Sequence, residues 1–113
     1  MLTVEILRKF GADVDLGIKR CAGNKDFYID MVSTMLKDQR LYALAGKISE
    51  KNVAEAFEIA HALKGVYGNL SLTPIFEPVR DVTEILRAGN LDGAKELVDE
   101  AVRQFELINV QAA

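Results

Sequence analysis

Apolar residues recur every three or four positions along almost the whole chain, and that period commits it to helices. Strand signals are missing: there is no sustained alternation, and no Asn-Gly or Asp-Gly turn between β-branched runs. Pro74 and Pro78 are the only prolines, and they sit close together. A short helix is predicted over Thr3 to Phe10, ending at Gly11, and a second from Val14 to Cys21, with Asp13 as its cap and Gly23 just beyond it. Asn24 can cap a third, through Phe27, Tyr28, Met31, Val32, Met35 and Leu36. The period continues through Leu41, Leu44 and Ile48, which predicts one long helix ending near Gly46 to Ser49.

Ser49 or Asn52 opens the next helix, which runs to about Leu70. Thr73 followed by Pro74 makes a helix start. Pro78 lacks an N–H, so regular helix is expected to begin after it or to bend there. Ala88-Gly89-Asn90 is a break, and Asn90 is read as the cap of a final helix from Leu91 to about Val110. Four substantial helices plus short N-terminal ones, joined by short loops, predict an all-α, antiparallel up-down-up-down four-helix bundle. At 113 residues the chain fits one domain spanning 1–113, with no repeat, low-complexity stretch or linker.

Composition narrows the function classes. Half the residues are hydrophobic, enough for a core, and a net charge of -3 with no basic stripe makes a poor nucleic-acid binder. The longest apolar runs, such as Leu41 to Gly46, fall far below the ~20 residues of a bilayer span. The N-terminus has no basic segment followed by an apolar stretch, so it reads as a helix of the fold rather than a signal peptide. The single cysteine, Cys21, has no partner for an internal disulfide and is read as a buried or half-buried apolar residue in a reducing cytoplasm. One His and one Cys are too few for a metal site unless carboxylates complete the set.

His61 is the only histidine. On a helical wheel, Ala56, Ile59, Ala60, Leu63, Val66, Tyr67 and Leu70 form one apolar face. Ala54, Phe57, Glu58, His61, Lys64, Gly65 and Gly68 form the opposite one. A lone histidine is most often structural or merely exposed. Here it points away from the core, which leaves an ordinary solvated residue as the plain alternative. Gly65 and Gly68 argue against that, because each glycine inside a helix costs about 0.5–1 kcal/mol relative to alanine. Bare backbone one and two turns beyond His61 would let a partner approach the imidazole, although Gly68 is near enough to the helix end to serve as a cap. Lys64, at i+3, can stabilise a phosphoryl group on the ring. Its plain alternative is a solvated lysine. Phe57, one turn before His61, is a candidate docking contact, and Glu58 can orient the ring. An unperturbed imidazole titrates near ~6.5, so its neutral, nucleophilic form dominates at neutral pH.

His61-Ala62-Leu63-Lys64-Gly65 resembles the H-x-L-K-G signature of the histidine-containing phosphotransfer (HPt) domains of multistep phosphorelays. Gly68-Asn69-Leu70 continues that pattern. Gly11 to Asp15, Gly17, Lys19-Arg20, Gly23 and Phe27-Tyr28 look like the family's opening, and Gly89-Asn90-Leu91-Asp92 like its approach to the last helix. The resemblance implies a phosphorelay module. His61 would be the phosphoacceptor, Lys64 the charge stabiliser, and Gly65 and Gly68 the clearance residues. Phe57, Glu58 and Ala54 are read as docking residues from their place on the same helix face as His61. The resemblance implies response-regulator receiver domains or a hybrid histidine kinase as partners and no cofactor of its own, the magnesium ion residing on the receiver. It implies a phosphocarrier with no autonomous kinase activity. A monomer is expected because the bundle closes its own core, in the cytoplasm that the single cysteine fits. The pattern departs after Asn69-Leu70, where Ser71-Leu72 stands in place of a pair that often begins with glycine. The alternatives are the phosphoacceptor domain of a chemotaxis-type kinase and a receiver-binding scaffold that is never phosphorylated.

Overall fold

A computed structural model describes residues 1–113. The chain is all-α, in seven helices: α1 (Val4–Phe10), α2 (Val14–Arg20), α3 (Lys25–Met35), α4 (Arg40–Ser49), α5 (Val53–Asn69), α6 (Thr73–Arg87) and α7 (Ala94–Ala112). Four side chains cap helix starts: Asp13, Asn24 and Asn52, as the sequence predicts, and Thr3, which the periodicity places inside the first helix. Thr3 accepts from the N–H of Ile6, Asp13 from Leu16, Asn24 from Phe27 and Asn52 from Glu55, each satisfying one of the free donors of a first turn.

Three predicted boundaries move. The long third helix is two helices, α3 and α4, because Asp38 interrupts it. Its carboxylate accepts from the backbone N–H of Arg40 at 2.8 Å and from Arg40 Nε at 3.0 Å. A side chain that satisfies a backbone donor locally removes the incentive to continue the preceding helix. Pro78 does not delay α6, which runs through it from Thr73, with the proline ring buried. The missing donor falls early in the helix, where little of the ladder precedes it, and burial of the ring offsets the lost bond. The last helix starts at Ala94 rather than Leu91. Asn90 caps a turn instead, accepting from Leu91 N–H at 2.7 Å and Asp92 N–H at 3.0 Å, and Gly93 (φ 80°) then leads into α7.

The four C-terminal helices close on themselves: α4 packs on α5 and α7, α5 on α6, and α6 on α7. The apolar face read from α5 supplies the centre, with Ala56, Ala60, Leu63, Tyr67 and Leu70 buried, while Ile59 and Val66 are half-buried at its margins. Facing them are Leu44 and Ile48 of α4, Val79 and Val82 of α6, and Val98 and Phe105 of α7. No helix is long and apolar enough to cross a membrane.

The N-terminal segment is stitched to the corner between α5 and α6. Asp13 N–H donates to Ser71 O at 3.0 Å, and the buried Tyr28 hydroxyl donates to Leu70 O at 2.8 Å. The Arg20 guanidinium donates to Gly68 O and reaches the Ser71 hydroxyl at 3.5 Å. Gly17 is buried against the Tyr28 ring so closely that a Cβ would overlap it. Cys21 is half-buried, as its composition-based reading expects.

Candidate functional site

His61 lies near the middle of α5 and is exposed, with its helix held by the Asn52 cap at one end and by Arg20 at the other. The exposure follows from the wheel: Ala60 and Leu63, on either side of it in sequence, turn inward and are fully buried. An open groove of about 540 Å³ runs beside it. His61, Lys64, Gly65, Gly68 and Asn69 form its floor on α5. Leu16 and Arg20 of α2 border one side, and Phe76 and Glu77 of α6 the other.

The predicted face divides when its side chains are placed. Ala54, Glu58, His61 and Gly65 are exposed, whereas Phe57, Lys64 and Gly68 are half-buried. Gly65 meets the expectation of open backbone, since a Cβ built there would have no atom within 4 Å. Gly68 does not. A Cβ at that position would lie 3.0 Å from Phe76 Cε1 and 3.3 Å from Cδ1, so its bare backbone seats the aromatic ring of α6. The wheel places the α5 core on the far side, but α6 wraps far enough round to reach this flank.

Phe57 is likewise more than a surface aromatic. It packs against the core, its ring meets the His61 imidazole edge-on (centroids 5.6 Å apart, planes at 67°), and the Arg87 guanidinium stands 5.0 Å from its centroid. These contacts fix the ring beside the histidine. Glu58 is exposed and makes no hydrogen bond or ion pair, so nothing ties its carboxylate to the imidazole; its side chain lies in solvent. Lys64 Nζ lies 4.0 Å from the Glu84 carboxylate of α6, which also takes Arg87 Nε at 3.3 Å.

Four groups at this site escape sequence reasoning. Arg20 and Leu16 reach it only because α2 folds back onto α5, far away in sequence. Glu84 and Arg87 stand at i,i+3 on α6, a spacing that marks an ion pair but carries no hint that Lys64 and Phe57 of α5 lie beside it.

An exposed imidazole beside an ammonium, on open backbone, can take up and release an electrophile. No cluster of three or more His, Cys, Asp or Glu side chains gathers to hold a metal ion.

The Ser71 departure is resolved by its backbone. Ser71 ends α5 at φ 55°, the left-handed region that glycine adopts without strain, and its neighbour Leu72 donates back to Tyr67 O at 3.0 Å. Arg20 reaches the Ser71 hydroxyl, a contact that glycine could not make.

The model of the family described as Hpt domain matches residues 30–113, beginning inside α3 and taking in the whole of α4 to α7 with His61. The opening segment from Gly11 to Tyr28, which resembles the family in sequence, lies outside that match. No curated protein and no solved structure gives a significant match. With most of its length matched and its helices closed around one core, the chain belongs to the Hpt domain family, the histidine phosphotransfer modules of phosphorelays.

Proposed function

We propose that His61 is the phosphoacceptor, receiving a phosphoryl group from an aspartyl phosphate of a response-regulator receiver domain and passing it to another. The observation that carries this reading is the position of the chain's only histidine: exposed at mid-helix, bordering a groove with Lys64 and the open backbone of Gly65, in a member of a histidine phosphotransfer family.

The unprotonated nitrogen of the neutral ring attacks phosphorus. The N–P bond forms as the acyl P–O bond breaks, the aspartate leaves as a carboxylate with the electron pair, and the second ring nitrogen keeps its proton. Lys64 offsets charge on the phosphoryl oxygens. Gly65 admits the partner's backbone, and Phe57 holds the flank of the imidazole. Gly68 contributes indirectly, by seating α6 through Phe76. The chain supplies a positioned nucleophile; the receiver supplies the magnesium ion and most of the catalysis, so the chain needs no cofactor of its own.

The same proposal takes residues 1–113 as one unit, an antiparallel up-down-up-down bundle of α4 to α7 bearing α1 to α3. The short connections at 50–52 and 70–72 support it, as do the hydrogen bonds from Asp13, Arg20 and Tyr28 to the α5–α6 corner. It acts as a monomer in the cytoplasm, with receiver domains or a hybrid kinase as partners. The test is label transfer from a phosphorylated receiver domain with magnesium, comparing wild type with His61→Gln. Acid-labile label on the wild type alone is the expected result. No label across several receivers would favour a scaffold that docks without accepting phosphate.

A further inference from the structure

Lys64 is not a free cation. Its ammonium stands 4.0 Å from the Glu84 carboxylate, outside hydrogen-bonding distance. Glu84 has a second cation in Arg87, at 3.3 Å, and Arg87 in turn covers the Phe57 ring that abuts His61. A carboxylate from α6 therefore sits between two cations, one a turn along α5 from the acceptor and the other on the ring that abuts it. The side chains of Lys64 and Glu84 are 36% and 56% exposed, so the pair is solvated and exchanges readily.

We propose that Glu84 is a positioning residue that competes with the phosphoryl group for Lys64 and so keeps phosphorylated His61 poised for onward transfer. The proposal rests on His61 being the phosphoacceptor. Before phosphorylation, Glu84 neutralises Lys64. Afterwards, a group of about two negative charges on the imidazole draws on the same ammonium. Lys64 cannot satisfy both fully, and the Glu84 charge also repels the phosphoryl oxygens. Both effects lower the stability of the phosphorylated chain relative to the unphosphorylated one. Transfer from aspartyl phosphate to imidazole and back then stays closer to balance, as a two-way carrier requires. Arg87 keeps Glu84 from swinging away into solvent.

The test is the equilibrium partition of label between a phosphorylated receiver domain and the chain, with magnesium present. The chains compared are wild type, Glu84→Gln, Glu84→Asp, Lys64→Ala and the Lys64→Ala/Glu84→Gln double variant. Glu84→Gln is expected to shift the partition toward the chain by about two- to fivefold, the range an exposed ion pair commands. Glu84→Asp, which keeps the charge, stays near wild type. In the Lys64→Ala background the same glutamine substitution shifts the partition less, because there is no ammonium left to contest. An unchanged partition in Glu84→Gln, or an equal shift in both backgrounds, overturns the proposal. If no label reaches even the wild-type chain while the receiver holds it, the phosphoacceptor reading itself fails and takes this proposal with it.

Discussion

Gly65 is the position where stability and function should part company. It lies inside α5, four residues before the helix ends, with exposed backbone and nothing within 4 Å of a built Cβ. Alanine there meets no clash and gains helix propensity. The expected gain is about 0.5–1 kcal/mol, because glycine surrenders more backbone freedom than alanine and leaves helical groups wet. For a domain of this size that raises the melting temperature by roughly 2–6 °C. Gly65→Gln should also stabilise, by less.

Transfer should move the other way. If open backbone exists to admit the receiver, a side chain one turn from His61 displaces the docked partner. A misplacement of ~1 Å at a reacting centre can cost about 100-fold, so Gly65→Gln should slow transfer by about tenfold or more and Gly65→Ala by less. Thermal unfolding by circular dichroism gives the first quantity, and single-turnover label transfer gives the second. A Gly65→Gln chain that is more stable than wild type and transfers at the wild-type rate would refute the clearance argument. A destabilised Gly65→Ala chain would refute the open-space geometry beneath it.

Gly17→Ala should destabilise by about 1–3 kcal/mol in denaturant titration, since its Cβ overlaps the buried ring of Tyr28, whose hydroxyl is anchored on Leu70 O; an unchanged midpoint would mean that α2 can shift away freely. Ser71→Gly should stabilise by about 0.5–1 kcal/mol, as relief of a left-handed φ of 55° outweighs glycine's greater unfolded-state freedom and the lost Arg20 contact; a loss of stability would show that the Arg20 contact dominates. Burial pushes the Tyr28 phenol up to about 12, with Cys21 and Asp13 adding to the shift, and Tyr67 moves in the same direction. The unfolded chain ionises these phenols near ~10 while the folded one still holds the protons, so their contribution is intact below pH ~10 and is lost as pH climbs toward 12. Tyr28→Phe should cost about 1 kcal/mol at neutral pH, through the unpaired Leu70 carbonyl, yet soften the alkaline loss. Equal alkaline slopes in wild type and variant would contradict the assignment to Tyr28.

Much of the fold is legible because its signals are local. The Asp13, Asn24 and Asn52 caps each speak to a donor three residues on, and the α5 wheel separates the buried Ala60 and Leu63 from the exposed His61 without knowledge of any neighbour. What periodicity misreads is interruption. The beat of Val32, Met35 and Leu36 resumes as Leu41, Leu44 and Ile48 beyond the Asp38 corner, and the slip between the two sets is easily overlooked because both face the same core from two different helices. Asn90 looks like a helix cap because an Asx turn and a cap use the same side-chain oxygen.

The site divides along the same line. His61, Lys64 and Gly65 are neighbours on one helix and can be read together. Gly68 looks like clearance for a partner only until Phe76 is in place, and the carboxylate beside Lys64 comes from α6. Arg20, which reaches both Gly68 and Ser71, comes from almost fifty residues upstream, and no spacing rule connects them.

The most direct test of the central claim is where the phosphorus resides. The chain is incubated with a phosphorylated receiver domain and magnesium, then examined by phosphorus NMR and by peptide mapping at neutral pH, with His61→Gln alongside. His61→Gln should fold normally, since exposed substitutions rarely move stability by more than about 0.5 kcal/mol. The account predicts an acid-labile N–P resonance in the wild type, mapped to the peptide containing His61 and absent from the variant. Phosphate retained on the receiver alone, or label that persists in His61→Gln, would contradict it.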